Sequence, residues 1–544
     1  MSAGMTGHGL TTVDGGAPST FDITVLGILH DAVAPGFDLV VFHLDGPAGF
    51  IGQAHGVFSG MSGSPVYDDA TGDLMGAVSY SFFAADPRIG LFTPAEQMLK
   101  LLDETAATPS MPARIPAPRW LARRVPRLGS TEDSASFTIL RTPFVVPPAT
   151  RLQNRERRHF GIRTLRSRTK GLHLKIVPGS AATPSLAADP TPIDPGVPLS
   201  AMLSSGDVTY AGIGTTTFKC GTAVDDLNAG WGHEFFAEGP TSFAMGSANV
   251  ITIVNDPSGL FGPFMLGEPA DLHGTVIQDR LRGIVGQAGD GPASFPVTSD
   301  VTNTDTANQR TGETDVYYQK DYWGPEIAFS HVWYNEFSVF DAYSGGTGQI
   351  AYTITGTADG EPFEVTNTNF LYSEYSVFYA SYKLLSSLYA LRFNRQDVDV
   401  QFSSVDATAT LTQDQLTGRV SRVLTSSPLQ PNPTERGVVR ARPGQTIHVT
   451  VGVKPVDDSP NHTVSFDVKV PNSARRSDDL LIRGGSRRFY FSSRGTHSFG
   501  QLVRKLNGGE HPNDVVAEAF GGKIVTPLPD LEVLGKRSVR IQVV

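Results

Sequence analysis

Residues 60–80 read GMSGSPVYDDATGDLMGAVSY: a glycine- and serine-rich turn, an apolar pair, a second turn, and the strand-like run Gly76-Ala77-Val78-Ser79-Tyr80. Glycines on either side of Ser62 let the backbone bend sharply and let another segment come close without meeting a Cβ. The same texture of short β-branched and aromatic runs, broken by Gly, Pro and Asp, continues in both directions. Residues 21–26 and 39–44 predict strands upstream, and residues 94–102 predict a short helix that begins on Pro94. The reading is a mostly-β fold.

The chain has 544 residues with 57 Gly and 38 Pro. At roughly 100–200 residues per domain it should form three or four packed units. Residues 1–105 read as the first, serine-bearing half of a β-unit. Residues 106–172 are rich in Pro and Arg, with Arg114, Arg119, Arg123, Arg124 and Arg127 followed by a second basic run from Arg151 to Lys170. They read as a solvated linker or insert, with an autoprocessing site or a docking strip for an anionic surface as the sharper alternatives. Strand patterns return over 173–314, for example at 172–177 and 250–254. Residues 315–430 read as a β-rich module with one helix at 376–393. Residues 431–544 read as a β-sandwich-like module, with a strand at 446–453 and a helix at 499–506 that Ser498 would cap.

The formal net charge of −10 argues against nucleic-acid binding. Cys220 is the single cysteine, so no internal disulfide framework exists. No apolar run reaches the roughly 18 residues of a membrane span. The N-terminal residues show no basic segment followed by an apolar core, so no signal peptide is visible. The 13 histidines contain no His-x-x-x-His pair, and no Cys-x-x-Cys or phosphate-cradling Gly-x-x-x-x-Gly-Lys loop is present. Neither a metal-dependent hydrolase nor a nucleotide enzyme is expected, and no cofactor is implied.

Acyl transfer by serine needs a hydroxyl on a tight turn whose backbone N–H groups face the developing oxyanion. Gly60-Met61-Ser62-Gly63-Ser64-Pro65 has that form, and Gly-x-Ser-Gly-x-Pro resembles the serine turn of trypsin-like peptidases. It does not fit the Gly-x-Ser-x-Gly elbow of α/β hydrolases, because Ser64 stands at the second glycine position.

Residues 60–80 as a whole resemble the SpoIVB peptidase family's pattern of GMSGSP, two apolar residues, a turn and GAVSY. Gly7-His8-Gly9-Leu10-Thr11-Thr12 and residues 21–27 are similar to the family's approach to the serine. Phe92-Thr93-Pro94-Ala95-Glu96-Gln97-Met98-Leu99 resembles its ITPIEEML segment. Gly230-Trp231-Gly232-His233-Glu234-Phe235 resembles its Gly-His turn, and Gly274 to Gly286 its GTxxQDRxxGIxG stretch. The resemblance covers roughly residues 5–290, apart from the basic insert.

What the resemblance implies is a serine endopeptidase with a trypsin-like double β-barrel made of 1–105 and 173–314. It would act on a protein or peptide substrate, with self-processing as one form of this. The resemblance implies the cell envelope or outside, while the absence of a visible signal peptide keeps the cytoplasm as the alternative. Ser62 would be the nucleophile, His233 its general base and Asp45 the group that orients the imidazole. The N–H groups of Gly60 and Ser62 would form the oxyanion hole. His8 and His55 are the other candidate bases. Two departures stand out: Ser62 precedes His233, the reverse of the order in the family's namesake, and Glu234 follows the histidine where relatives often carry Pro. The competing reading is a peptidase-fold protein without turnover that binds through its C-terminal β-modules.

Overall fold

The computed structural model describes residues 1–46, 54–82, 86–102, 115–116, 136–159, 163–179, 192–221, 227–256, 262–435, 437–457, 459–488 and 495–544. Strand makes up 54% of the residues and helix 14%, so the expected mostly-β class holds. The chain divides into two units, Met1–Ser294 with Thr314–Tyr318, and Phe295–Glu313 with Gln319–Val544.

The first unit opens with strands β1 (Thr6–Thr11), β2 (Ser19–Ala34), β3 (Phe37–Asp45), β4 (Pro65–Asp68), β5 (Leu74–Phe82) and β6 (Ile89–Pro94). They pair in the antiparallel order β4-β1-β2-β3-β6-β5, and β5 returns to β4, which closes a six-stranded barrel. Alternation drives the closure. Phe21, Ile23 and Val25 of β2 are buried while Asp22 is exposed and Thr24 half-buried between them, so one face of the strand lines the core. Helix α1 (Ala95–Leu99) follows from Pro94, as the sequence predicts, and a 3-10 turn continues it over Lys100–Leu102. Strands β7 (Ile115–Pro116) and β8 (Ser136–Ile139) extend the sheet from β5.

A second set comprises β9 (Thr142–Val146), helices α2 (Thr150–His159) and α3 (Leu165–Arg168), β10 (Leu174–Pro178), β11 (Pro198–Gly206), β12 (Tyr210–Cys220), β13 (Leu227–Gly230), β14 (Gly239–Val254), β15 (Phe264–Arg280) and β16 (Gly283–Ala288). Antiparallel pairing runs β11-β12-β13-β16-β15-β14 and back to β11, so this ring also closes on six strands. Strand β9 joins β12 and pairs in parallel with β10. The linker expectation for 106–172 therefore fails where the chain is described beyond residue 135: β8, β9 and two helices occupy it, and Glu156 and Arg157 are fully buried. Residues 103–114 and 117–135, with the first group of arginines, lie outside the described residues. Phe21, Phe42, Phe58 and Met61 from the first ring and its turn share one core with Val145, Ile213 and Met265 from the second set.

The second unit begins with β17 (Phe295–Asn303), twenty residues earlier than the expected boundary at 315. The reason is non-local: β17 pairs in parallel with β21 (Val400–Thr412). Between them lie β18 (Gln309–Val316), α4 (Trp323–Phe340), β19 (Gly346–Ala358), β20 (Glu361–Ser373) and α5 (Tyr382–Arg392). Strands β21, β19 and β20 follow in antiparallel order, with α4 against β17 and β21. The expected helix at 376–393 is a 3-10 turn, Val377–Ser381, leading into α5. The remaining strands run from Thr417 to Val543 and form two five-stranded sheets over a common core that includes Val449, Val451, Leu480, Ile482 and Val539. This is the expected sandwich, begun at Thr417 rather than 431. Helix α6 (Phe499–Asn507) starts as predicted, with the Ser498 side chain accepting from the Gln501 N–H. Among the described residues no helix is long and apolar enough to cross a membrane.

Candidate active site

The Ser62 turn is held on both flanks. Met61 N–H donates to Phe58 O at 3.1 Å and Ser64 N–H to Met61 O at 3.0 Å, while Gly60 and Gly63 take φ of +102° and +97°. Those left-handed conformations suit glycine. On the first-barrel side, Gly63 N–H reaches Val78 O at 2.7 Å and Val78 N–H reaches Ser64 O at 3.0 Å. On the second-barrel side, β12 takes up the carbonyls of the turn. Thr215 N–H donates to Ser62 O at 2.8 Å, Thr215 Oγ1 to Gly60 O at 3.0 Å, and Thr217 Oγ1 to Gly63 O at 2.7 Å.

The N–H groups of Gly60 and Ser62 make no hydrogen bond among the described residues. Two donors left unbonded beside a serine hydroxyl are what an oxyanion hole requires. Ser62 is fully buried and its Oγ has no partner among the described residues; Ser64 Oγ is in the same condition.

The histidine block meets this turn through the same strand. Trp231 N–H donates to Thr215 O at 3.2 Å, and Thr93 Oγ1 donates to Gly232 O at 2.6 Å, so β12 and β6 both anchor the loop. Trp231 and Gly232 have φ of +69° and +65°. His233 follows, fully buried, with its ring centroid 6.5 Å from that of Trp231. Its Nδ1 lies 2.7 Å from the Glu234 carbonyl oxygen, which only accepts, so Nδ1 carries the proton and donates. Nε2 is then the bare nitrogen, and it has no partner among the described residues. Burial pushes the imidazole down to about 3, with His173 nearby adding to the effect.

Ser62 and His233 thus sit on segments joined by Thr215, but their side chains are not hydrogen-bonded to each other. Asp45 is not brought to His233. Its Oδ1 is 2.7 Å from His43 Nδ1 and its Oδ2 accepts from Thr24 Oγ1 at 2.7 Å, all on neighbouring strands of the first barrel. The family resemblance implied an orienting carboxylate here, whereas the pleat places it beside His43, two residues earlier on the same face. His8 pairs with Asp69 at the surface, and His55 is exposed with φ of +55°.

Glu234 is buried, one carboxylate oxygen lacks a partner among the described residues, and burial pushes its carboxyl up to about 8, which favours the neutral form beside the imidazole. Tyr80, fully buried with an unpartnered hydroxyl, is raised well above its ordinary value by burial and by Glu234.

Sequence reasoning passed over Asp279 as a site residue, although it lies in the Gln278-Asp279-Arg280 run. It is fully buried, and its carboxylate accepts from Phe235 N–H at 2.7 Å, Phe236 N–H at 2.7 Å and Glu238 N–H at 3.4 Å. Thr215 and Thr217 were also missed, since only folding shows that β12 faces the turn. Among the described residues no three His, Cys, Asp or Glu side chains gather as metal ligands would. No family model, no curated protein and no solved structure matches this chain.

Proposed function

We propose that the first unit is a trypsin-like serine endopeptidase acting on a protein substrate through an acyl-enzyme. The observation that carries this reading is one arrangement: a buried serine hydroxyl and a bare imidazole Nε2, on segments tied together through Thr215, beside two N–H groups, all four without a partner among the described residues. Two closed six-stranded barrels that share a core support the same reading.

In the proposed reaction Ser62 Oγ attacks the scissile carbonyl carbon as its proton passes to His233 Nε2. The oxyanion is held by Gly60 and Ser62 N–H groups. Collapse breaks the C–N bond, and His233 returns the proton to the departing amine. Water then attacks the ester, with His233 again taking and returning a proton, to release the acid and free Ser62. Hydrogen bonds of this kind tighten when substrate binds.

The second reading is a peptidase-fold protein without turnover. It is favoured by the complete burial of both side chains and by the lack of a bond between them.

The test is labelling of the full chain by a fluorophosphonate, followed by mass spectrometry. Covalent addition at Ser62 that vanishes in Ser62→Ala and His233→Ala but persists in Ser64→Ala supports the peptidase. An unlabelled wild-type protein in a folded state sinks it in favour of the second reading.

A further inference from the structure

The loop that carries His233 contains a peptide unit gripped at both ends. The Glu234 carbonyl and the Phe235 N–H belong to one amide group. The carbonyl accepts from His233 Nδ1 at 2.7 Å, and the N–H donates to Asp279 Oδ1 at 2.7 Å. An amide that donates to a carboxylate is polarised, and its oxygen becomes a stronger acceptor. We infer that Asp279 is the positioning residue of this site, acting through the 234–235 peptide to hold His233 in the tautomer that leaves Nε2 bare. This rests on the reading of Ser62 and His233 as nucleophile and base.

In a directly bonded triad the carboxylate touches the imidazole. Here Asp45 is engaged with His43 and Thr24, and the backbone supplies the link instead. Further bonds from Phe236 and Glu238 N–H fix the carboxylate in its plane, and Trp231, Gly232 and Ala237 take positive φ around the turn. Burial pushes Asp279 up to about 6, against the lowering by its three N–H donors. The other titratable and charged groups around it are Glu234 and Glu238, with Arg280 next on the strand; His173 faces the imidazole.

The experiment uses the full chain labelled with 15N-histidine. Long-range proton–nitrogen spectra distinguish the two neutral tautomers, and His233→Gln identifies the signal. The wild-type ring should be wholly Nδ1-protonated at neutral pH. In Asp279→Asn the other tautomer should appear, and the rate of fluorophosphonate addition at Ser62 should fall about 10- to 100-fold. A wild-type ring protonated on Nε2 overturns the inference, as does a slowed Asp279→Asn whose ring tautomer is unchanged, or a variant that reacts at the wild-type rate. Should Asp279→Asn not fold, wild type still decides. On acidification the Phe235 amide proton and the His233 ring signal must shift with one midpoint; movement of the amide alone refutes the link. A wild-type Ser62 that never labels would defeat the peptidase reading, while the tautomer data would still report on the clamp.

Discussion

The backbone of Gly63 runs against that of Trp231: a Cβ built on the glycine would stand 2.4 Å from Trp231 N and 1.8 Å from Thr215 O. Neither neighbour is a flexible side chain, and the φ of +97° adds strain for any other residue. Gly63→Ala should therefore cost more than about 3 kcal/mol in urea unfolding of the protein. A loss below about 1 kcal/mol would mean the two segments are not in contact in solution.

Thr217 is fully buried and its hydroxyl donates to Gly63 O. Thr217→Val keeps the shape and leaves that carbonyl with one partner fewer, which should cost about 1–2 kcal/mol. Because the bond seats the serine turn on β12, fluorophosphonate addition at Ser62 should also slow. Unfolding curves and labelling rates on the same sample check both halves, and a variant as stable as wild type disproves the first.

Asp45→Asn distinguishes the spatial arrangement from the role that the family resemblance implied. Its side chain is 46% exposed and paired with a partly exposed His43, so screening by solvent limits the loss of stability to under about 1 kcal/mol. Labelling of Ser62 should stay within about twofold of wild type. A hundredfold drop would restore Asp45 to the triad.

Glu234 makes stability depend on pH in a direction opposite to the usual carboxylate. Its folded-state value, about 8, lies above the ordinary 4.5 because of burial. The folded protein keeps the proton that the unfolded chain gives up, so the contribution is intact below about 4.5 and is lost as pH rises towards 8. Glu234→Gln removes this dependence. Relative to wild type it should gain on the order of 3 kcal/mol between pH 4.5 and 8. Denaturation midpoints across that range would test it, and parallel curves for the two proteins would refute it.

Much of the β-structure was legible because alternation along a half-buried strand is a local signal. Residues 21–26, 250–254 and 446–453 all lie inside observed strands. The cap on α6 was legible for the same reason, since Ser498 acts within one turn. Helix α4 was not. Its sequence, WGPEIAFSHVWYNEFSVF, is buried on nearly every side, so no polar stripe marks a helical period, and its aromatic residues suit strands as well. Residues 136–172 looked solvated because arginine usually is, yet Arg157 lies inside the protein. The serine turn could be read from its glycines. The clamp on His233 could not, because it passes through a main-chain amide, and every residue type supplies one.

The Thr215 hydroxyl reaches back 155 positions to the Gly60 carbonyl, and β16, which completes the second ring, ends at Ala288. A ribosome has therefore delivered the proposed nucleophile long before it delivers the partner that would activate it. On that reading the nascent polypeptide would carry an inert hydroxyl throughout that interval, and competence would arrive only when the later half has emerged and closed. On the proposed reading, order of synthesis alone would protect the growing chain from its own chemistry.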